Sequence, residues 1–273
     1  MNIFTCPVCS EMLCKEGKSY ICTNRHTFDI AKSGYVNLLI SKQLGKAVHG
    51  DNKLMVKARR DFLGKGYYGN LLSALSEAVC EYSENGSVIL DSGCGEGYYT
   101  KGVSDYLNDN NINAEFFGVD ISKTALEYAA KLFKEANFAV GSVFHLPIAD
   151  KSCDVVMTLF APFCREEFIR VLKDSGIFIM VIPLEKHLWG LKKAVYDTPY
   201  LNEVKEYSVE GFKLIENKKI AYEIVLENNE DIQNLFSMTP YYYRTGKIQQ
   251  ERLAALDKLQ TEIEFEILIY MKN

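Results

Sequence analysis

From residue 87 onward, short apolar runs alternate with longer amphipathic stretches. SVILD (87–91), AEFFGVD (114–120), NFAVGS (137–142), CDVVMTLF (153–160) and GIFIMVIP (176–183) are rich in β-branched and aromatic residues and have the length of strands. KTALEYAAKLFKEA (123–136), REEFIRVLKD (165–174) and HLWGLKKAVY (187–196) carry helical spacing instead. Such alternation predicts a parallel, doubly wound sheet. KKIAYEIVLEN (218–228) and TEIEFEILIYMKN (261–273) switch apolar and polar residues one by one, as antiparallel strands do, with two helices and the turn MTPYYYR (238–244) between them. Five parallel strands closed by two late ones is the order expected here.

Upstream the periodicity changes. NKLMVKARRDFL (52–63) places Leu54, Met55, Ala58 and Phe62 on one helical face, with Asp51 as the expected N-cap. GKGYYGN (64–70) breaks the pattern, and LLSALSEAVCEYSE (71–84) resumes it as a second amphipathic helix. Residues 41–51, SKQLGKAVHGD, read as a polar connection, and residues 1–40 as a small separate module. This divides the chain into 1–40, 41–86 and 87–273.

The module contains CPVCSEMLCKEGKSYICTNRH (6–26), whose Cys6, Cys9, Cys22 and His26 have C-x2-C-x12-C-x3-H spacing. Two tight turns each present two ligands, and KEGK (15–18) supplies the bend that brings the turns together. Four such donors suit tetrahedral Zn²⁺, and a site with all four positions filled is structural rather than catalytic. Cys14 is the rival ligand, but it falls in mid-strand of the expected hairpin. The metal folds a segment too short to fold alone. His49 and His145 have no such partners nearby and read as ordinary polar residues.

DSGCGEGYYT (91–100) follows the first parallel strand directly and reads D-x-G-x-G-x-G, with Gly93, Gly95 and Gly97. Glycines there allow a sharp turn and bring backbone N–H groups near a ligand at the start of the next helix. Asp120 ends the next strand, where an acidic residue can accept both ribose hydroxyls. That arrangement serves dinucleotides and S-adenosylmethionine (SAM) alike; the G-x-G-x-G spacing and the leading Asp91 favour SAM. Asp91 can orient the loop or hold the methionine ammonium, directly or through water. Ser142 and Val143 follow the third strand, where the adenine is usually lined, and HLPIADKSCDVVM (145–157) matches the approach to the fourth strand in SAM methyltransferases.

Composition adds little except in its distribution. At 273 residues the chain is long enough for a large core, and no apolar run reaches the roughly 18 residues that would span a bilayer. No signal-like start and eight scattered Cys suggest reduced thiols in a cytoplasm. The net charge of −5 hides an asymmetry: residues 1–66 hold 11 Lys/Arg against 5 Asp/Glu. A basic front of +6 on an acidic body points to a polyanion. Lys15, Lys18, Arg25, Lys32, Arg59 and Arg60 are the expected phosphate contacts.

C-P-x-C at 6–9, SYIC-x-x-x-H-x-F-D-x-A-K-x-G-Y-V-N-L-L across 19–39 and ARR-x-FL at 58–63, followed by DSGCGEGYYT, the AP of 161–162, the HL of 187–188 and the MTP of 238–240, give the chain a resemblance to a known family. It resembles the RlmA/TlrB family of large-subunit (23S) rRNA guanine-N1 methyltransferases along nearly its whole length. The resemblance implies a class I SAM-dependent methyltransferase, with a Rossmann-like seven-stranded sheet behind a zinc module that helps grip an RNA hairpin. It implies a homodimer and an acceptor at N1 of a guanine in a domain II hairpin of 23S rRNA, with no membrane and no DNA partner. By motif position it makes Tyr68, Gly95, Glu96 and His187 cofactor contacts, with Tyr67 beside Tyr68 leaving a one-residue ambiguity. The 41–50 segment carries only Lys42 and Lys46 where relatives are often more basic, which leaves open which of two nearby guanines is used.

Guanine N1 carries a proton that must leave before or during attack, by a carboxylate or by a backbone carbonyl and water. FAPF (160–163) lies where this class binds the acceptor; Phe160 and Phe163 are possible stackers, and Glu166, Glu167 and Tyr241 to Tyr243 are nearby candidates without an assigned role. Two other readings fit parts of the chain: a SAM methyltransferase for a small molecule, and a non-catalytic ribosome-assembly factor with a relict fold. The zinc module and basic front speak against the first, and the intact Asp91, glycines and Asp120 against the second.

Overall fold

A computed structural model describes residues 2–40, 51–204 and 207–273. The 41–50 connection, with Lys42, Lys46 and His49, lies outside the described residues. No described helix is long and apolar enough to cross a membrane.

The first forty residues form β1 (Leu13–Glu16), β2 (Ser19–Cys22) and β3 (Thr27–Asp29), a three-stranded antiparallel sheet, then a two-residue strand β4 (Val36–Asn37). Helices α1 (Lys53–Leu63) and α2 (Gly69–Glu81) follow. The parallel core alternates β5 (Val88–Ser92), α3 (Tyr98–Asp109), β6 (Glu115–Asp120), α4 (Lys123–Leu132), β7 (Asn137–Val140), β8 (Cys153–Leu159), α5 (Arg165–Val171), β9 (Leu172–Pro183) and α6 (Trp189–Val195). The chain closes with β10 (Phe212–Leu226), α7 (Asn229–Ser237), a 3-10 turn at Pro240–Arg244, α8 (Lys247–Ala254) and β11 (Leu259–Lys272).

The large sheet runs β10-β11-β9-β8-β5-β6-β7-β4. Seven of these strands are the expected ones, with β10 and β11 antiparallel at one edge. The eighth was not expected. β4 leaves the metal module and pairs parallel with β7, Val36 opposite Ala139 and Asn37 opposite Val140. Strand order reverses at β5, so a crevice opens beyond the carboxyl ends of β5 and β8, where open α/β sheets bind ligands.

Successive residues of each parallel strand face opposite layers. Ile89, Val155 and Ile179 pack on the helices, with Leu71, Leu75, Val103 and Leu126. Leu90, Phe117, Val156 and Phe178 face the other way. That second face has no helix between β7 and β8; residues 141–152 are a loop, and the metal module covers the space. Phe4, Leu13, Tyr20, Val36 and Leu38 join the same buried cluster as Phe117 and Val119. Phe4 meets Phe117 and Tyr20 edge-on, with ring centroids 5.4 and 5.7 Å apart.

Three local expectations are corrected. The cap of α1 is Asn52, whose side chain accepts the Met55 N–H at 3.0 Å; Asp51 is ion-paired to Arg59 instead. α4 stops at Leu132, because Phe133 leaves helical geometry and turns its ring to Phe116. The segment expected as one helix through Asp174 ends at Val171, since Leu172 pairs with Cys153 and starts β9 across a register shift.

Candidate functional site

The carboxyl end of β5 delivers Asp91 into the crevice. Its Oδ2 accepts the Thr100 hydroxyl at 2.6 Å, and its buried Oδ1 has no hydrogen-bond partner among the described residues. Burial, partly opposed by Thr100 and reinforced by Asp120 and Glu96, pushes its pKa up to about 7. Gly93, Gly95 and Gly97 all take positive φ, at 88°, 55° and 84°. A Cβ on Gly93 would overlap the Ala161 methyl, so this glycine lets the loop after β8 close on the turn. Gly97 has a different duty: it caps α3, and a Cβ there would sit 3.0 Å from Ala129 Cβ of α4, away from the crevice lining.

Asp120 ties the turn to the end of β6. Gly95 N–H donates to its Oδ2 at 2.9 Å and Ser122 N–H to its Oδ1 at 2.8 Å. Glu96 is buried, and its Oε2 has no hydrogen bond among the described residues, though Arg59 lies 3.9 Å away. Desolvation outweighs Arg59 and lifts the Glu96 pKa to about 7. Two orphaned carboxylate oxygens beside a glycine turn are a donor-seeking cradle. The ammonium and ribose hydroxyls of SAM are the donors that this set fits.

Above the turn sit Tyr68 and His187. Tyr68 precedes α2, with its ring edge-on to Phe62 and Phe265. His187 Nδ1 accepts the Glu264 backbone N–H at 3.3 Å, which leaves the proton on Nε2. Nε2 faces the Tyr68 hydroxyl at 3.5 Å. Burial, with the nearby Lys192 charge, drops the His187 pKa to about 3, so the ring is neutral. Tyr67 points elsewhere and donates to Asp231 Oδ2 at 2.7 Å. Tyr68 is therefore the tyrosine of this pair that lines the crevice.

The crevice encloses about 940 Å³, at the upper end for one small ligand and roomy enough for a second group beside it. Ser142 and Val143 line its rim beyond β7. Much of its wall is apolar, built from Phe160, Ala161, Pro162, Pro183, Met238 and Phe265. Phe160 adopts φ 58° and is 51% exposed, its ring centroid 5.1 Å from that of Phe265. A left-handed non-glycine backbone costs energy that surrounding contacts must offset. Phe163 instead stacks on Phe178 at 5.4 Å, outside the lining. Glu166 pairs with Arg165, and Glu167 binds Arg170 and the Leu146 N–H at 2.6 Å; neither reaches the crevice. Of the three tyrosines at 241–243, Tyr241 alone lines it, and Tyr243 accepts from Asn52 at 2.5 Å.

The structure also brings in Phe144, Asn202 and Arg244, which the sequence left unassigned and which line the crevice. His145, read from the sequence as an ordinary polar residue, lines it too. Arg244 stood inside a quoted motif, but no spacing rule singled it out. Arg59 lines it too, held by Asp51 and Glu96, rather than standing on an open basic face. Arg60 pairs with Asp61 and lies 4.6 Å over the Tyr128 ring. Lys15, Lys18, Arg25 and Lys32 are exposed and have no ion pair among the described residues.

In the amino-terminal module, Cys6, Cys9, Cys22 and His26 converge with all donor atoms within 4.8 Å of one another. Cys9 and Cys22 sulfurs lie 3.7 Å apart, and His26 Nδ1 lies 3.5 and 3.4 Å from Cys6 and Cys22. Zn–S bonds of about 2.3 Å and a Zn–N bond of about 2.0 Å at tetrahedral angles require edges of about 3.8 and 3.5 Å. The donor set fits zinc. Cys14 is exposed on β1 and stays outside the group.

Comparison with known proteins agrees with this geometry. The zinc-ribbon family model described as "RlmA, N-terminal" matches residues 4–43, and a methyltransferase-domain model matches residues 83–234. The chain is 32% identical over 99% of its length, and 98% of the relative's, to a Bacillus subtilis protein named "Putative 23S rRNA (guanine-N(1)-)-methyltransferase YxjB". It is 32% identical over 70% of its length, and 66% of the relative's, to the 23S rRNA (guanine(748)-N(1))-methyltransferase of Streptomyces fradiae. Among solved structures, the YcgJ protein of Bacillus subtilis superposes with a TM-score of 0.50 at 17% identity, covering 74% of this chain and 97% of that one, which bears on the fold alone. A class I methyltransferase sheet, a SAM cradle and a Cys3His zinc ribbon thus stand together in one chain, and that chain belongs to the family of 23S rRNA (guanine-N1)-methyltransferases.

Proposed function

We propose that this protein transfers a methyl group from SAM to N1 of one guanine in a domain II hairpin of 23S rRNA. The observation that carries the reading is the crevice itself. Carboxylate oxygens of Asp91 and Glu96 without a hydrogen bond among the described residues share it with an apolar, aromatic wall, in a chain related along 99% of its length to a protein named as a 23S rRNA (guanine-N1)-methyltransferase.

On this reading Tyr68, Asp91, Gly93, Gly95, Glu96, Asp120, Ser142, Val143 and His187 hold the cofactor, and Gly97 acts indirectly by packing α3 on α4. Bound SAM supplies an electrophilic methyl group. Asp91 and Glu96 attract its ammonium and hydroxyl donors, and neutral His187 directs its Nε2 proton to Tyr68, which leaves the Tyr68 hydroxyl hydrogen free for the cleft. Phe160 offers a ring face on which an extruded guanine stacks. Positioning supplies much of the rate, because the methyl donor is already activated.

Residues 1–40 serve as the RNA-gripping module, 41–86 as the border of the cofactor pocket and 87–273 as the catalytic body. Lys15, Lys18, Arg25 and Lys32 are the proposed phosphate contacts. The protein works in the cytoplasm as a homodimer, a state that sedimentation analysis tests directly.

The deciding experiment incubates the protein with unmodified large-subunit rRNA and labelled SAM, then maps the label by reverse-transcription stops. One stop at an N1-methylguanine in the domain II hairpin is expected. Label incorporated elsewhere, or no label, overturns the reading.

A further inference from the structure

The crevice lining carries four carboxylates and two guanidinium groups. Asp51, Asp91, Glu96 and Asp120 gather at the cofactor end, where Arg59 is already bound to two of them. Arg244 also lines the cleft, is exposed, and has no ion pair among the described residues. Its backbone ends the 3-10 turn Pro240–Arg244, which the Thr245 hydroxyl closes by donating to Tyr241 O at 3.1 Å and Tyr242 O at 3.3 Å.

A second cation stands behind that wall. Lys192 of α6 is fully buried, and no carboxylate among the described residues pairs with it. Its Nζ donates to Asn202 Oδ1 at 2.6 Å and Tyr200 O at 3.0 Å and lies 4.5 Å and 5.4 Å from the Tyr200 and Tyr241 rings. The other titratable groups around Arg244 do not cancel it. Tyr196 and Tyr241 stay protonated because burial raises both phenols, His187 is neutral, and Asp197 is taken by Arg252 at 2.6 Å.

We propose that Arg244 is a catalytic and specificity residue, binding O6 and N7 of the acceptor guanine and stabilising the charge that collects on O6 as N1 loses its proton. This rests on the function proposed above. A planar guanidinium reads the O6/N7 edge of guanine bidentately and leaves N1 open. Adenine offers an N6 donor at the same place and is refused. The N1 proton goes to water, the N1–methyl bond forms as the sulfur–methyl bond breaks with its electron pair kept on sulfur, and the base ends neutral. Once the bound base excludes water from the guanidinium, the cation favours that anion more than water does.

The test compares the wild type with R244Q and R244K at saturating rRNA, from about pH 6 to pH 10, where guanine N1 itself ionises. R244Q is expected to lose about 10²-fold in kcat at neutral pH. The deficit narrows as pH rises, R244K falls between, and calorimetric SAM affinity holds in both. A deficit equal at every pH overturns the assignment. So does a higher KM with unchanged kcat and a shallower salt dependence, which is the signature of a phosphate contact. If the wild type forms no N1-methylguanine, the parent function falls and this role falls with it; if it does and R244Q keeps the wild-type pH profile, Arg244 alone is misassigned.

Discussion

Gly93 holds the cofactor turn against the loop after β8, and no side chain fits between them. Gly93→Ala forces its new methyl into Ala161 and strains a φ of 88°. The expected cost is about 1–3 kcal/mol in stability. SAM binding should fall below detection in calorimetry while far-ultraviolet dichroism stays native. Retained affinity would mean the turn tolerates displacement. Asp91 and Glu96 set a pH dependence of opposite sense to the usual carboxylate. Both titrate near 7 in the folded chain, above their ordinary values of 3.8 and 4.5. Folding therefore keeps their protons, so this pair's stabilising share is complete below about pH 4 and is lost as pH climbs through about 7. Asp91→Asn removes one buried charge. The ligand-free variant should melt higher than the wild type at pH 8, by about 2–4 °C for each kcal/mol relieved, with little difference at pH 4 and weaker SAM binding. Melting curves at the two pH values check this, and an unchanged gap between them refutes it. At this scale the sequence showed Asp91 and Asp120 by position after a strand. It could not show that Asp120 spends both oxygens on backbone N–H groups, or that Arg59 turns inward, because those depend on neighbours brought in from distant segments.

The elements repeat that division between local pattern and distant pairing. Strands β5 to β9 are legible because apolar runs of fixed length need only local information. β4 is not, since two residues carry no periodicity and their pairing with β7 depends on where the metal module sits against the sheet. The early end of α5 was hidden for the same reason: Leu172 follows the helical pattern, but its backbone is recruited by Cys153. The docking makes zinc a support for the parallel sheet as well as for its own module. Stripping the metal with a chelator, or Cys22→Ser, should loosen residues 2–40 and uncover the edge of β7 at 137–140. Hydrogen exchange should accelerate in both places while β8 and β9, buried between other strands, stay protected. Exchange confined to the module would show that β4 pairing adds nothing to β7.

Across the whole molecule the charge asymmetry is real but its source shifts. Of the 11 basic residues before position 67, Lys57, Arg59, Arg60 and Lys65 are ion-paired within the described structure. Residues 1–40 alone hold four basic groups and three acidic ones, nearly neutral in sum. On the proposed function the module acts not through net charge but through four cations that have no ion pair among the described residues, and two of these project from turns. Lys18 follows Gly17 at the β1–β2 bend, and Arg25 sits in the second zinc turn with φ 65°. A polyanion meeting these tips releases counterions from each phosphate neutralised, so affinity falls with salt at about 0.9 power per duplex contact. Replacing both by Glu should lower rRNA affinity and reduce the slope of log K against log salt by about 2. SAM affinity should not change, because both tips lie outside the crevice lining. Filter binding at several salt concentrations measures the slope, and calorimetry measures the cofactor. An unchanged slope would remove the zinc module from the RNA interface and leave the cleft to select its guanine unaided.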